Sequence, residues 1–480
     1  MPNVANIKSE PKIISDLDKN FRPASLENRR FLKSVDDSGE GIPLMIGLER
    51  NDGLISIYHT RVFSDKSKNF NLNYTYIERL VKTLLWIRGG WRVIIGGSKK
   101  IGDYIKAAYS DGGVREFDAK FMGKVYEKPF TVDVVDYNKM PSEKEDSKAI
   151  GRHTDGCRIG FDAGGSDRKV SSVIEGEVVF SEETIWHPKL HSDPKYHYNE
   201  IMASIKAAAS HMPRVDAIGV SSAGIIVDNK VKVSSLFIKV PEDLFEKKVK
   251  DIYINISKEM GGIPLEVAND GDVTALAGSM ELGDNRVLGI AMGTSEAGGY
   301  VDANGNITGW LNELAFVPVD YNPRSMIDEW SGDFGCGVKY FSQDAVIKLV
   351  PFAGISLDEA LSPAEKLKIV QDMMSKGDVR AVKIFETIGY YLGYTTAHYA
   401  DFYDFRHILV LGRVMSGEGG NIIAKAAQKV LKAEFPELEE RIKIHLPDES
   451  KRRIGQSVAA ASLPEIDNKN KSRQRQKSEN

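Results

Sequence analysis

Ile159-Gly160-Phe161-Asp162-Ala163-Gly164-Gly165-Ser166-Asp167-Arg168-Lys169 is the stretch that decides how this chain is read. An apolar run enters an Asp-x-Gly-Gly-Ser turn, and a second run, Val170 to Ile174, leaves it. The spacing predicts two strands joined by a tight hairpin. Glycines in such a turn permit positive φ and let backbone N–H groups come close to an anion. Ser166 adds a hydroxyl donor, and Asp162 suits a magnesium-bound water better than a phosphate oxygen. An ordinary hairpin needs the same residues, so the turn gains meaning only in company with other segments of the chain.

Three later segments supply that meaning. Leu265-Glu266-Val267-Ala268-Asn269-Asp270 reads as a short strand that delivers Asn-Asp to its C-terminal end, with a helix over 272–280 directly after it. Ligands of open α/β sheets are met at such strand ends. There a carboxylate can take the proton of a substrate hydroxyl while Asn269 bonds a neighbouring one. Asp272 reads instead as a cap of the helix. Val287 to Val301 repeats the pattern of strand, small-residue turn and strand around Gly293-Thr294-Ser295-Glu296. Two such hairpins flanking a strand-borne Asp fit phosphoryl transfer, which needs donors on both sides of a nucleotide's phosphates. Ile408 to Gly412, an apolar strand ending in glycine before Arg413 and a helical stretch over 421–431, is a plausible seat for adenosine.

In this order the segments resemble the phosphate, catalytic and adenosine motifs of the ROK family, within the actin, Hsp70 and sugar-kinase superfamily. The resemblance spans residues 158 to about 463. It implies an α/β, two-lobed, actin-like (ribonuclease H-like) ATPase fold. The implied activity is transfer of phosphate from Mg-ATP to a hydroxyl of a hexose-like sugar or sugar derivative. Asp270 would be the general base. Asn269, Glu313, Ser222, Gly224 and Ser235 would meet the sugar. Asp162, Gly164, Gly165, Ser166, Gly293, Thr294, Gly412 and Arg413 would meet ATP, with Asp162 reaching Mg2+ through water. A catalytically silent sugar sensor and a ROK-type transcriptional regulator are the alternatives.

Departures from the family pattern carry expectations of their own. ROK kinases usually hold zinc with one His and three Cys. Here the histidine position reads Phe316, and the later cluster keeps only Cys336. One thiol cannot build a tetrahedral site, so no zinc is expected and Cys336 reads as a packing residue. Glu296 inside the second phosphate hairpin is unexpected, because a carboxylate there repels triphosphate unless magnesium intervenes or it points away.

The remainder is less specific. The chain has 480 residues, 42% hydrophobic and 28% charged, with net charge −4 and two cysteines. These values suit a globular protein of a reducing cytoplasm, with no disulfide framework and no global pull toward nucleic acid or membrane. No apolar run approaches the roughly 18 residues of a membrane span. The predicted domains are a polar arm (1–40), an N-terminal α+β domain (41–135), a linker (136–157), one kinase lobe (158–270), a second (271–463) whose last helix can return to the first, and a disordered basic tail (464–480). In the N-terminal domain a hairpin over 44–58 turns at Asp52-Gly53. Ile77, Leu80, Val81, Leu84 and Leu85 form one helical face, and Val93 to Ile95 runs into a second helix over 101–109. These elements faintly echo later ones, which leaves an old duplication open. No compact basic recognition helix is found, which weighs against the regulator. Sugar and ATP are the expected partners, and a homodimer is left open.

Overall fold

The structure is a computed structural model that describes residues 10–145, 150–447 and 449–466. Most of the basic tail expected over 464–480, and the first nine residues of the polar arm, lie outside the described residues. Two compact units are present. One holds Met1–Asp146, Ile290–Gly298 and Trp310–Leu446; the other holds Ser147–Gly289, Gly299–Gly309 and Pro447–Asn480.

In the first unit, β1 (Gly41–Glu49), β2 (Ile55–Phe63), β3 (Arg92–Gly96) and β4 (Thr131–Val135) form a sheet of order β2-β1-β3-β4. Asp52 (φ 57°) and Gly53 (φ 66°) make the turn between β1 and β2, as their types predict. Behind the sheet lies the helix Leu72–Arg88, with 13 of its 17 residues buried, so it is covered on every side. Its apolar face is the one the sequence periodicity predicts. Its other face carries Glu78, Arg79 and Lys82, which are buried too. Burial of that charge is tolerable because Asp333 accepts from both Arg79 (2.8 and 3.1 Å) and Lys82 (2.6 Å). Residues 41–135 therefore do not stand apart as a domain: their main helix is sealed against the 310–341 segment of the same unit. Of the expected arm, Ala24–Ser38 is a helix, and the Ala24 N–H donates to the Val319 carbonyl.

The second unit is built on β5 (Cys157–Ala163), β6 (Asp167–Ile174), β7 (Glu177–Ile185), β8 (Ala217–Ser222), the small β9 (Ile225–Val227) and β10 (Lys230–Val233) pair, and β11 (Leu265–Asn269). Its main sheet has the order β11-β8-β5-β6-β7. β5, β8 and β11 run parallel, whereas β5, β6 and β7 are antiparallel neighbours. The last helix, Glu449–Ala461, lies directly on this sheet. A Cβ on Gly160 or Gly219 would stand 1.7 Å from the carbonyl of Ser457 or Ala460, so glycine at both positions sets how closely the helix approaches. The helix Asp270–Leu282 also belongs here rather than to the 271–463 lobe: the Asp272 carboxylate accepts from the Tyr300 N–H, and Gly299 presses on the Gly271 carbonyl. β3 runs antiparallel to β1 where β8 runs parallel to β5, so the two sheets are not copies of one topology.

A further sheet, β13-β12-β14-β15, comprises β12 (Val287–Met292), β13 (Glu296–Val301), β14 (His407–Leu411) and β15 (Lys443–His445). Among the described residues no helix is long and apolar enough to cross a membrane.

Candidate active site

Parallel register brings several of the predicted site residues together. Asp162 lies opposite Ser221 between β5 and β8, and Ser222 lies opposite Asn269 between β8 and β11. The side chains that open from these strand ends are tied to one another. Ser221 Oγ donates to Asp162 Oδ1 at 2.6 Å and accepts from the Gln456 amide at 3.2 Å. Lys169 stands 3.8 Å from the other Asp162 oxygen. Ser222 Oγ shares a 2.9 Å hydrogen bond with the buried Tyr253 hydroxyl.

Asn269 is the N-cap of the helix Asp270–Leu282, its Oδ1 accepting from the Gly271 N–H at 2.7 Å. Its Nδ2 donates to the Gly224 carbonyl at 2.7 Å, so the residue pins the Ser222-Ala223-Gly224 turn to the start of the helix. Asp272, expected as the cap, is not one. It sits too far into the helix, and its carboxylate is taken by the Tyr300 N–H. Gly224 has φ +112°, and a Cβ there would stand 2.2 Å from the Val233 carbonyl, so only glycine fits the turn. Ser235 is exposed and opens a single 3-10 turn capped by Ser234, with no hydrogen bond to this group.

Asp270 is the first residue of its helix, and its Oδ1 accepts from the Gly271 N–H at 3.0 Å. Removal from water, and then the charge of Asp162, pushes its carboxyl up to about 6. A carboxyl poised there is mostly ionised at neutral pH yet keeps some proton affinity, which is compatible with general-base work.

The first hairpin is the β5–β6 turn. Gly164 fits tightly, a Cβ there meeting the Asp167 carbonyl at 2.7 Å, while Gly165 and Ser166 are exposed. Trp186 fastens the turn from behind, its Nε1–H donating to the Gly164 carbonyl at 2.8 Å. Two features escaped the sequence reading. Lys189 comes within 3.4 Å of where a Gly165 Cβ would stand, and Lys169 neutralises Asp167 at 3.1 Å. Neither lysine is marked by a motif.

In the other unit lie Gly293, Thr294, Gly412, Arg413 and Glu313. Gly412 has φ +103°, and a Cβ there would stand 2.4 Å from the Met292 carbonyl. The strand end thus packs flush against the residue that precedes Gly293. The Gly293 carbonyl accepts from the Gln343 N–H, Thr294 is exposed, and exposed Arg413 presents its carbonyl to Gln371. Glu313 is half-buried and opens a short turn; its N–H donates to the Trp86 carbonyl.

Glu296 does not face outward as a charge. It is buried, and neither oxygen has a hydrogen bond of normal length, the Tyr399 hydroxyl acting on it from farther off. Burial, with the charge of Glu313 adding to it, pushes its carboxyl well above the carboxylate range, which favours the neutral form. Gly337 makes room for it: a Cβ there would meet the Glu296 carboxyl head-on.

Where the resemblance sets a zinc histidine, Phe316 stacks on Trp86 at 4.2 Å. Cys336 is buried with its thiol 3.7 Å from the Lys82 ammonium, and burial pushes it up to about 11. Among the described residues no three His, Cys, Asp or Glu side chains converge as a metal site.

The order of these strands and turns is the one that a model of the ROK family matches over residues 158–459. The chain belongs to the ROK family. A ROK hexokinase from Thermus thermophilus aligns at TM-score 0.50 and 16% identity, covering 64% of this chain and 97% of its own, which shows the shared fold. A ROK family glucokinase from Streptomyces griseus in complex with glucose and AMPPNP aligns at TM-score 0.48 and 20% identity, over 64% of this chain and 99% of its own. A ROK family transcriptional regulator, a homolog of the E. coli MLC protein, aligns at TM-score 0.49 and 18% identity, over 64% of this chain and 78% of its own. No curated protein matches the chain. The mixed α/β, actin-like fold is thus that of the ROK proteins, and residues before 158 lie outside the matched segment.

Proposed function

We propose that this ROK protein phosphorylates a hydroxyl of a hexose-like sugar or sugar derivative at the expense of ATP. The observation that carries the reading is Asp270: a carboxylate at a strand end, poised near 6, beside an asparagine that fixes the neighbouring turn. Asp270 would accept the proton of the attacking hydroxyl. Asn269, Ser222, Gly224, Ser235 and Glu313 would hold the ring, and the hairpins at Gly164-Gly165-Ser166 and Gly293-Thr294 would present backbone N–H groups to the phosphates. Gly412 and Arg413 would seat adenosine. Magnesium fits the donor set on one count, since Asp162 is a buried carboxylate at the strand end facing the first hairpin. When bound with the nucleotide, magnesium supplies neutralising charge to the phosphates, and Asp162 would hold one of its waters.

A sugar-binding regulator or silent sensor is favoured by one feature, the Asp167 carboxylate at the first hairpin, 3.4 Å from Ser166 Oγ. Lys169 offsets that charge, which keeps the kinase in front. ATP turnover against a panel of hexoses and N-acyl hexosamines, with sugar binding measured in the absence of ATP, separates the two. Turnover that disappears in Asp270→Ala supports the kinase. Sugar binding without turnover in the unmodified chain supports the sensor, and unaltered phosphotransfer by Asp270→Ala removes the role given to that residue.

A further inference from the structure

A cavity of about 430 Å³ opens in the first unit between the segment Asp16–Asn20, the stretch Asp320–Met326 and the helix Gln343–Leu349. None of the residues assigned above to sugar or nucleotide lines it, and its size is that of a small-molecule site. Its distinguishing group is Lys348. That side chain is 12% exposed, with its ammonium 3.4 Å from the centre of the Tyr340 ring and 4.7 Å from that of Tyr391. Two aromatic faces hold the cation in place without using its N–H donors. The closest carboxylate oxygen, Asp18 Oδ2, is 3.9 Å away, beyond hydrogen-bond distance.

Of the three acids that line the cavity, Asp18 and Asp320 are engaged by the protein, and exposed Asp16 lies 3.9 Å from Lys19, a cation that lines the cavity too. Asp320 accepts from the Arg22 and Asn322 N–H groups on one oxygen (2.9 and 2.8 Å) and from the Tyr340 hydroxyl on the other (2.5 Å). Asp18 accepts from the Tyr391 hydroxyl at 2.6 Å. The uncommitted groups that are buried are donors. Besides the Lys348 ammonium, the Ser325 hydroxyl is buried with no hydrogen-bond partner, and exposed Arg324 stands at the rim. Burial pushes the Lys348 ammonium down to about 8 despite Asp18 and Asp320, so the protein's own carboxylates do not fully compensate it. Leu17, Leu349 and Phe352 supply an apolar wall for a short carbon skeleton.

We propose that this cavity binds a small organic phosphate, a phosphate group on a short carbon chain, through Lys348, Ser325 and Arg324. The site is separate from the sugar and nucleotide residues and does not depend on the kinase reading. Titration calorimetry on the full chain without nucleotide, using inorganic phosphate, glycerol 3-phosphate and 3-phosphoglycerate, tests it. At least one probe is expected to bind, the first two reading phosphate alone and the third testing whether a carboxylate adds affinity. Lys348→Met, which keeps the length of the side chain, is expected to weaken binding by about tenfold or more, the usual scale for a lost charge-assisted hydrogen bond. Ser325→Val removes the other buried donor and serves as the deciding variant if Lys348→Met does not fold, which circular dichroism would reveal. Binding of none of the three probes, or binding equally strong in every folded variant, would overturn the proposal.

Discussion

The Glu313 backbone hangs from the end of a helix that lies outside the family-matched segment. Its N–H donates to the Trp86 carbonyl at 3.0 Å, and the neighbouring Asn312 N–H donates to the Ile87 carbonyl at 2.9 Å. Trp86 is fully buried, stacks on Phe316, and donates its Nε1–H to Asp118 at 2.5 Å. The N-terminal segment is therefore part of the support of a proposed sugar residue.

Truncation at that support has a definite signature. Trp86→Ala should destabilise the chain by about 3–5 kcal/mol, the cost of emptying a large aromatic site. Trp86→Phe keeps the stacking and loses the bond to Asp118, for about 1–3 kcal/mol. Denaturant unfolding gives both values. In the milder variant the KM for sugar should rise while that for ATP stays close to its original value, because the disturbance enters through Asn312 and Glu313.

Asp270 sets the expected pH dependence. A base whose carboxyl is pushed up to about 6 is ionised only above that value, so kcat should rise with pH through about 6 and then level. The stability consequence has the opposite sense. A carboxyl raised in the folded state makes the fold most stable below its unfolded value of about 3.9, and that contribution is lost as pH rises through about 6. Asp270→Asn removes the buried charge, so at pH 8 its Tm should equal or exceed that of the unmodified chain while turnover is lost. A large fall in Tm at pH 8 would show that the carboxylate is a structural partner instead.

Asp333 is the hub of the buried ionic cluster. It accepts from Arg79, Lys82 and Arg115, with Arg115 at 2.7 and 3.1 Å. Burial by itself would raise this carboxyl, but Lys82, Arg79 and Arg115 together hold it far below the usual range. Because its folded value is depressed, its contribution is present above about 3.9 and fades as pH falls below that. Asp333→Asn leaves three buried cations without their shared partner and should cost about 3–5 kcal/mol at neutral pH, measured by urea unfolding.

Two glycines test the proposed nucleotide and sugar roles separately. Gly412→Ala forces a Cβ to 2.4 Å from the Met292 carbonyl at φ +103°, and should raise the KM for ATP. Gly224→Ala forces one to 2.2 Å from the Val233 carbonyl at φ +112°, and should raise the KM for sugar. Each should also lower stability by about 1–3 kcal/mol, the usual cost of a strained backbone position. Steady-state kinetics in which either variant moves the other KM instead would reverse the assignment of sides.

Local chemistry was enough to read the hairpins, the strand ending at Asn269, and the turn at Asp52-Gly53. Each depends on residues within a dozen positions, where glycine's freedom in φ and the alternation of a strand act directly. Asp270 could be placed at a strand end for the same reason, and the family motif adds its neighbours. What escaped the reading depends on residues far apart in the chain. The Asp333 cluster joins Arg79 and Lys82 to a carboxylate beyond residue 330, so a helix that looks one-sided by periodicity is buried on both sides. Asp272 looked like a cap because its type suits one, and only the fold shows Asn269 in that place. The charge of Glu296 and the poise of Asp270 were likewise out of reach, since both depend on how much water the folded chain removes from a carboxyl. Sequence alone determined which segments turn, pair and bring glycine to an anion, because those are short-range constraints on φ and hydrogen bonding. Tertiary structure alone decided which way each buried carboxyl is pushed, what holds Glu313, and that Lys348 rests on Tyr340 and Tyr391, because desolvation and Coulomb energy depend on neighbours that only folding brings together.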